Sequence, residues 1–265
     1  GITWFFKHVS EGIILEDDCW PSEDFFVFCE TMLARYRNDS RVGMISGDNF
    51  QQGQKRPKAS YYFSKYTHIW GWATWRRAWK EYDLEMNGLD DFFSSETWQT
   101  YQASERETEH WRSLMTKVRN GEIDTWDYQW NYAVWKSGAL VVLPAVNLVA
   151  NEGFRADATH TISENSPNAK LPTEPLGNIK LTSDVALNVK ADLYSFENLF
   201  SPPKNTSPKS KAKAAAVQEV VTAKAEKKIQ RAAEDLAAVK SSLSWRLLGK
   251  HVFSVEKRLR RLFGA

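Results

Sequence analysis

Two hydrophobic periods alternate along this chain, and the switches between them mark out its elements. Gly12-Ile13-Ile14-Leu15 is an unbroken apolar run with no period-two alternation, which predicts a strand buried on both faces of a parallel sheet. Residues 41–47, 60–63, 139–143 and 146–149 are further strand candidates, with Pro144 expected to break the run between the last two. Residues 2–9 read as the end of a helix. Pro21-Ser22-Glu23-Asp24 opens another, along which Phe25, Phe28, Cys29, Met32, Leu33 and Tyr36 recur at helical spacing. Residues 105–119 and 127–136 carry the same period. Strands interleaved with helices predict an α/β fold over residues 1–200.

After residue 150 the pattern becomes polar. Residues 201–211 form a Pro/Ser/Lys linker, and residues 212–265 read as a helical tail. Within the tail, Ala225, Ile229, Ala232, Leu236, Val239 and Leu243 are spaced by three and four, as in an amphipathic helix or short coiled coil.

Composition agrees with a packed body: 42% of residues are hydrophobic and 13% aromatic. The formal charge of +2 hides an asymmetry. Residues 203–265 hold 15 Lys/Arg and 5 Asp/Glu, a net of +10, which leaves 20 against 28 in the rest, a net of −8. An acidic body with a basic, amphipathic tail is a common design for proteins that touch anionic surfaces, so peripheral membrane contact through residues 244–263 is one reading. A solvated helix or partner-binding coiled coil is the other. The tail has no aromatic stacking platform, which argues against nucleic acid. With two cysteines, Cys19 and Cys29, the chain is no disulfide scaffold and suits a reducing cytoplasm. No apolar segment reaches the roughly 20 residues a membrane-spanning helix needs.

Chemistry concentrates where the first strand ends, in Glu16-Asp17-Asp18. Three adjacent carboxylates repel one another and resist desolvation unless a cation neutralises them, and hard oxygen ligands suit Mg²⁺ or Mn²⁺. The bland reading is a solvated acidic turn before a helix whose N-terminus favours acids. Further on, Trp70, Trp72, Trp75 and Trp79 surround Gly71; core packing accounts for most of these rings, whereas a glycine between two tryptophans permits close approach to a ligand. Asp124 and Asp127 lie among aromatics, a setting that suits a general base; either could instead be an N-cap, a role Thr125 could share. Asn147, Asn151 and His160 follow, the asparagines either shaping an acceptor site or making turns.

The run from Gly12 to Asp18, followed by Pro21, Phe25, Phe26 and Phe28, resembles the acidic metal motif of GT-A nucleotide-sugar glycosyltransferases. The likeness is to the Glu-Asp-Asp form of the N-acetylglucosaminyltransferase I family and to bacterial proteins catalogued as nucleotide-diphospho-sugar transferases or HlpA-like. The resemblance implies a Rossmann-like mixed sheet flanked by helices. It also implies an enzyme that moves a sugar, with inversion, from a nucleotide-diphosphate donor to a glycan or protein acceptor in bacterial surface glycan synthesis or protein glycosylation. It assigns the metal to Asp18 and His160, the donor to Glu16, Asp17, Gly71 and Trp72, and the role of base to Asp127, although Tyr128 stands where the family has a second acid. GT-A enzymes begin with a base-gripping strand–helix unit, and few residues precede residue 12 here. The chain is therefore expected to lack that unit and to have weak activity alone. The alternatives are a sugar nucleotidyltransferase and a non-catalytic membrane- or partner-binding module.

Overall fold

The computed structural model describes residues 1–54, 59–153 and 171–201. The chain divides into two units, Gly1–Thr206 and Ser207–Ala265; the second, with the expected tail helix, lies outside the described residues. In chain order the elements are α1 (Ile2–His8), β1 (Glu11–Ile14), β2 (Cys19–Pro21), α2 (Glu23–Tyr36), β3 (Val42–Ser46), β4 (Tyr61–Ser64), β5 (Trp72–Trp75) and α3 (Arg76–Trp79). Then follow α4 (Leu89–Phe92), α5 (Glu96–Tyr101), α6 (Glu105–Arg119), α7 (Asp127–Lys136), β6 (Leu140–Pro144), β7 (Val149–Asn151), α8 (Val189–Ser195) and a π-helix, Phe196–Phe200.

The fold is mixed α/β. Five strands form one sheet in the order β1-β5-β3-β6-β4. Only β3 and β6 pair in parallel; β5 runs antiparallel to both β1 and β3, and β4 antiparallel to β6. Hence β1, β3 and β6 all point their carboxyl ends at one edge, where open α/β sheets bind ligands.

Strand β1 departs from expectation. It is a half-buried edge strand paired only with antiparallel β5, not a strand buried on both faces among parallel neighbours. Its apolar run is explained by partial cover: the ring of Phe5 on α1 lies where a side chain at Gly12 would stand. Pro144 is the last residue of β6, paired with Tyr61, and the run breaks there as expected before β7.

Alternation along the strands sorts the core. Ile45, Ala73, Trp75, Phe63 and Val142 face a cluster that includes Phe25, Phe28, Met32 and Leu33 of α2. Met44, Trp72, Tyr62, Val141 and Leu143 face a second cluster with Phe6 of α1, Trp79 of α3 and Trp130 of α7. Each such ring removes roughly 150–250 Å² from water, so the many tryptophans carry much of the packing. Residues 171–201 pack on the body although the pattern after residue 150 is polar. Asp192 of α8 accepts hydrogen bonds from Ser64 Oγ (2.6 Å) and Lys65 N (3.1 Å), and the ring of Phe200 lies against Tyr66, Trp111 and His68. No helix among the described residues is long and apolar enough to cross a membrane.

Candidate active site at the carboxyl edge

The chain leaves β1 through the acidic run and reverses at once. Cys19 N–H donates to the Glu16 carbonyl at 3.1 Å, closing a turn from which β2 departs to pair with β7. The run is therefore a turn, in which Glu16 and Asp18 are half-buried and Asp17 is exposed.

Tight packing under the turn fixes its position. Gly71 N-terminal to β5 accepts a hydrogen bond from Gly47 N–H (2.7 Å) just after β3. A Cβ on Gly71 would stand 2.8 Å from Val149 Cγ2 and 3.1 Å from Leu15 Cδ2; one on Gly47 would stand 2.5 Å from Val149 Cγ2. Contacts that short force a shift, so both positions need glycine to let three strands and α2 converge beneath the acids. Gly71 thus serves internal packing against Leu15, Phe25 and Val149. Trp72, expected on the donor, is fully buried among Trp79, Trp126 and Trp130, and its side chain is not available to a ligand. Alternation on β5 turns it into the core.

Asp127, more than a hundred residues from the turn in sequence, arrives there at the start of α7. Glu16 records the meeting. Burial raises its carboxyl above the ordinary range, and the charges of Asp18, Asp127 and Asp17 add to that, against a lowering hydrogen bond from the Trp126 side chain. Asp127 accepts a hydrogen bond from the Thr125 hydroxyl, and no side chain caps the helix, so neither Asp124 nor Asp127 is the N-cap that a bland reading allows. The Tyr128 hydroxyl, buried first and then opposed by Asp127, is pushed up to about 12.

A residue that sequence reasoning passed over lies beside this cluster. Asp48, just past the central strand β3, is fully buried. Its Oδ2 accepts hydrogen bonds from Trp70 N (3.1 Å) and Ser46 Oγ (3.4 Å), while Oδ1 has no partner among the described residues. Burial pushes its carboxyl up to about 8. With Asp18 it also acts on Cys19, whose thiol is pushed up to about 12, chiefly by burial. A signal was present: like the first strand, this apolar run is followed by an acid, but the turn-prone Gly47-Asp48-Asn49 concealed it.

The remaining candidates divide. Asn147 braces the edge, accepting from Asn49 N (3.1 Å) and donating to Val149 O (2.8 Å). Asn151 accepts from Gly153 N (2.7 Å), a local turn bond. Both follow the turn reading. His160 lies outside the described residues. His68 is buried between Phe50 and Phe200, and burial lowers it to about 3, so its ring is neutral.

A hard divalent cation fits the chemistry of this cluster: every donor is a carboxylate oxygen, and their charges add to the burial that raises Glu16. Among the described residues no group of three or more His, Cys, Asp or Glu side chains is arranged to hold a metal by itself. No protein-family model matches the chain, and no curated protein is detectably similar to it.

Proposed function

We propose that this chain transfers a sugar from a nucleotide-diphosphate donor to an acceptor hydroxyl by a GT-A-type mechanism. The observation that carries the reading is the shared field at Glu16, which ties Asp127 electrostatically to Asp17 and Asp18 at the carboxyl edge. Asp18 would hold Mn²⁺ or Mg²⁺, with His160 as the expected second protein ligand; the ion bound there would supply positive charge for the departing diphosphate. Ions of this kind commonly bind one or two carboxylates plus substrate phosphates, so the site needs no three-residue cage. Glu16 and Asp17 orient donor hydroxyls as hydrogen-bond acceptors.

Asp127 takes the proton of the acceptor hydroxyl while that oxygen bonds to the anomeric carbon. The bond from that carbon to the diphosphate oxygen breaks on the opposite face, giving inversion. Thr125 keeps the carboxylate oriented through its hydroxyl hydrogen bond. The Gly47–Gly71 contact contributes by holding the turn in place, in the sense of a rigid support beneath a catalytic group.

The test is titration of Mn²⁺ with UDP or GDP on the wild-type chain and on Asp18→Ala. Binding is expected to need both the ion and Asp18. Nucleotide binding indifferent to Asp18 would sink the reading. Asp127→Asn is expected to keep that binding and to remove transfer; release of pyrophosphate in place of a nucleoside diphosphate would favour a nucleotidyltransferase.

A further inference from the structure

Four described glycines leave no room for a side chain: a Cβ on Gly12, Gly47, Gly71 or Gly153 would come within 3.0 Å of another atom. The first three meet hydrocarbon, the ring of Phe5 or the side chains of Val149 and Phe25, and serve packing. Gly153 differs. Its Cβ would overlap Asp18 Oδ2 and stand 2.9 Å from Asn151 Oδ1, so a carboxylate fills the space its missing side chain leaves. The backbone does not ask for glycine here: φ at Gly153 lies outside the positive range that Gly53, Gly88, Gly121, Gly138 and Gly177 occupy. The surroundings hold the same carboxylate. Glu152 N donates to the Asp18 carbonyl at 2.9 Å, which continues the β2–β7 register by one pair and fixes residue 153 beside the acidic turn. The Cys19 thiol donates to Asp18 Oδ1 (3.5 Å). Asn151, opposite Cys19, donates from Nδ2 to Cys19 Sγ (3.9 Å) while its Oδ1 accepts from Gly153 N (2.7 Å). One oxygen of Asp18 is thus hydrogen-bonded, and the other is seated in a backbone notch.

We infer that Gly153 is a positioning residue: its missing side chain sets the direction in which the Asp18 carboxylate is offered to a divalent ion. The inference rests on the glycosyl-transfer reading, which gives the ion to Asp18. Groups around a metal ligand orient it, and loss of such a partner commonly costs roughly ten- to a hundredfold in metal affinity. A methyl group at residue 153 has to displace something. The free end of the Asp18 side chain moves by bond rotation alone, whereas β7 and the turn are bonded to each other through Glu152 N and the Asp18 carbonyl. The substitution therefore spares the fold and turns the carboxylate away. A glycine that served only to end β7 would show the reverse, a cost in stability and none in metal affinity.

The experiment measures Mn²⁺ alone by electron paramagnetic resonance, then UDP or GDP with Mn²⁺ by calorimetry. The chains are wild type, Gly153→Ala, Asp18→Ala and the double variant, each with a metal-free thermal melt. Gly153→Ala is expected to melt with wild type and to weaken Mn²⁺ by about tenfold. The double variant is expected to bind no more weakly than Asp18→Ala, because both substitutions remove the same interaction. Wild-type affinity in Gly153→Ala, with the ion lost in Asp18→Ala, overturns the positioning role and leaves the transfer reading untouched. So does a Gly153→Ala melt lowered by more than about 5 °C, since the glycine then serves the fold. A further loss of Mn²⁺ in the double variant overturns it too, because Gly153 then acts on something other than Asp18. Mn²⁺ binding that needs both residues, in a chain that binds no nucleotide, supports the positioning role and sinks the transfer reading. No Mn²⁺ binding by wild type, or binding indifferent to Asp18, overturns both.

Discussion

Two regions of this molecule gather acids, and they treat them in opposite ways. Behind the sheet, Glu107 of α6 is fully buried and fully satisfied: Lys65 Nζ donates at 2.6 Å, Ala103 N at 2.8 Å, and the Tyr66 hydroxyl completes the set. At the carboxyl edge, Glu16, Asp17, Asp18 and Asp127 share one field with no cation paired to them among the described residues, and Asp48 keeps an oxygen unpartnered. Buried charge is tolerated when it is paired and hydrogen-bonded, and its absence of compensation is costly otherwise. The first region is built to be stable as it stands. The second is incomplete until something positive arrives.

Breaking the compensated region should give the largest effect. Glu107→Ala strands Lys65 in the core, and a loss of about 3–5 kcal/mol is expected in a urea melt. A loss under about 1 kcal/mol would show that the lysine escapes to water.

The opposite sign is expected at Asp48. Its folded-state carboxyl sits near 8 against an ordinary 3.8, so the folded chain holds a proton that the unfolded chain releases. Stability therefore falls as pH climbs from about 4 to about 8, and is lowest above that window. Asp48→Asn keeps an acceptor for Trp70 N–H and removes the ionisation. It should flatten the pH–stability curve and gain on the order of 1–3 kcal/mol at pH 8. An unchanged slope between pH 4 and pH 8 would contradict the burial argument.

The smallest effect is expected at Glu16, where solvent screens a half-buried carboxyl. Its raised position means that ionisation works against folding as pH rises through the carboxylate range. Glu16→Gln should then gain a few tenths of a kcal/mol at pH 7 in the absence of divalent ions. The same variant should weaken Mn²⁺–nucleotide binding, the pattern of a site that trades stability for function.

How far these regions could be read in the sequence follows from their physics. The boundaries of α6 and α7 were legible because each carries an uninterrupted helical period. The acidic turn was legible because charge following an apolar run is a local signal. The edge position of β1 was not: an Ile-Ile-Leu run looks alike whether a second strand or an α1 phenylalanine covers it. Trp72 misled because tryptophan next to glycine carries no mark of which face it takes. The helices within residues 171–201 were hidden because their apolar residues are few and scattered: Phe196 is fully buried in the core, and polar bonds such as Gln51 Nε2 to Ser195 Oγ at 3.0 Å add to it.

The strand order has a kinetic consequence. Neighbours in the sheet are distant in sequence: β1 waits for β5, and the central strand β3 waits for β6, nearly a hundred residues later. Chain closure over such spans makes for slow folding. During synthesis the apolar edges of β1 and β3 must remain unpaired until late, and Ser64 and Lys65 meet Asp192 only after α8 has emerged. A nascent chain halted before residue 140 would present unpaired strands, the kind of species that aggregates or recruits chaperones.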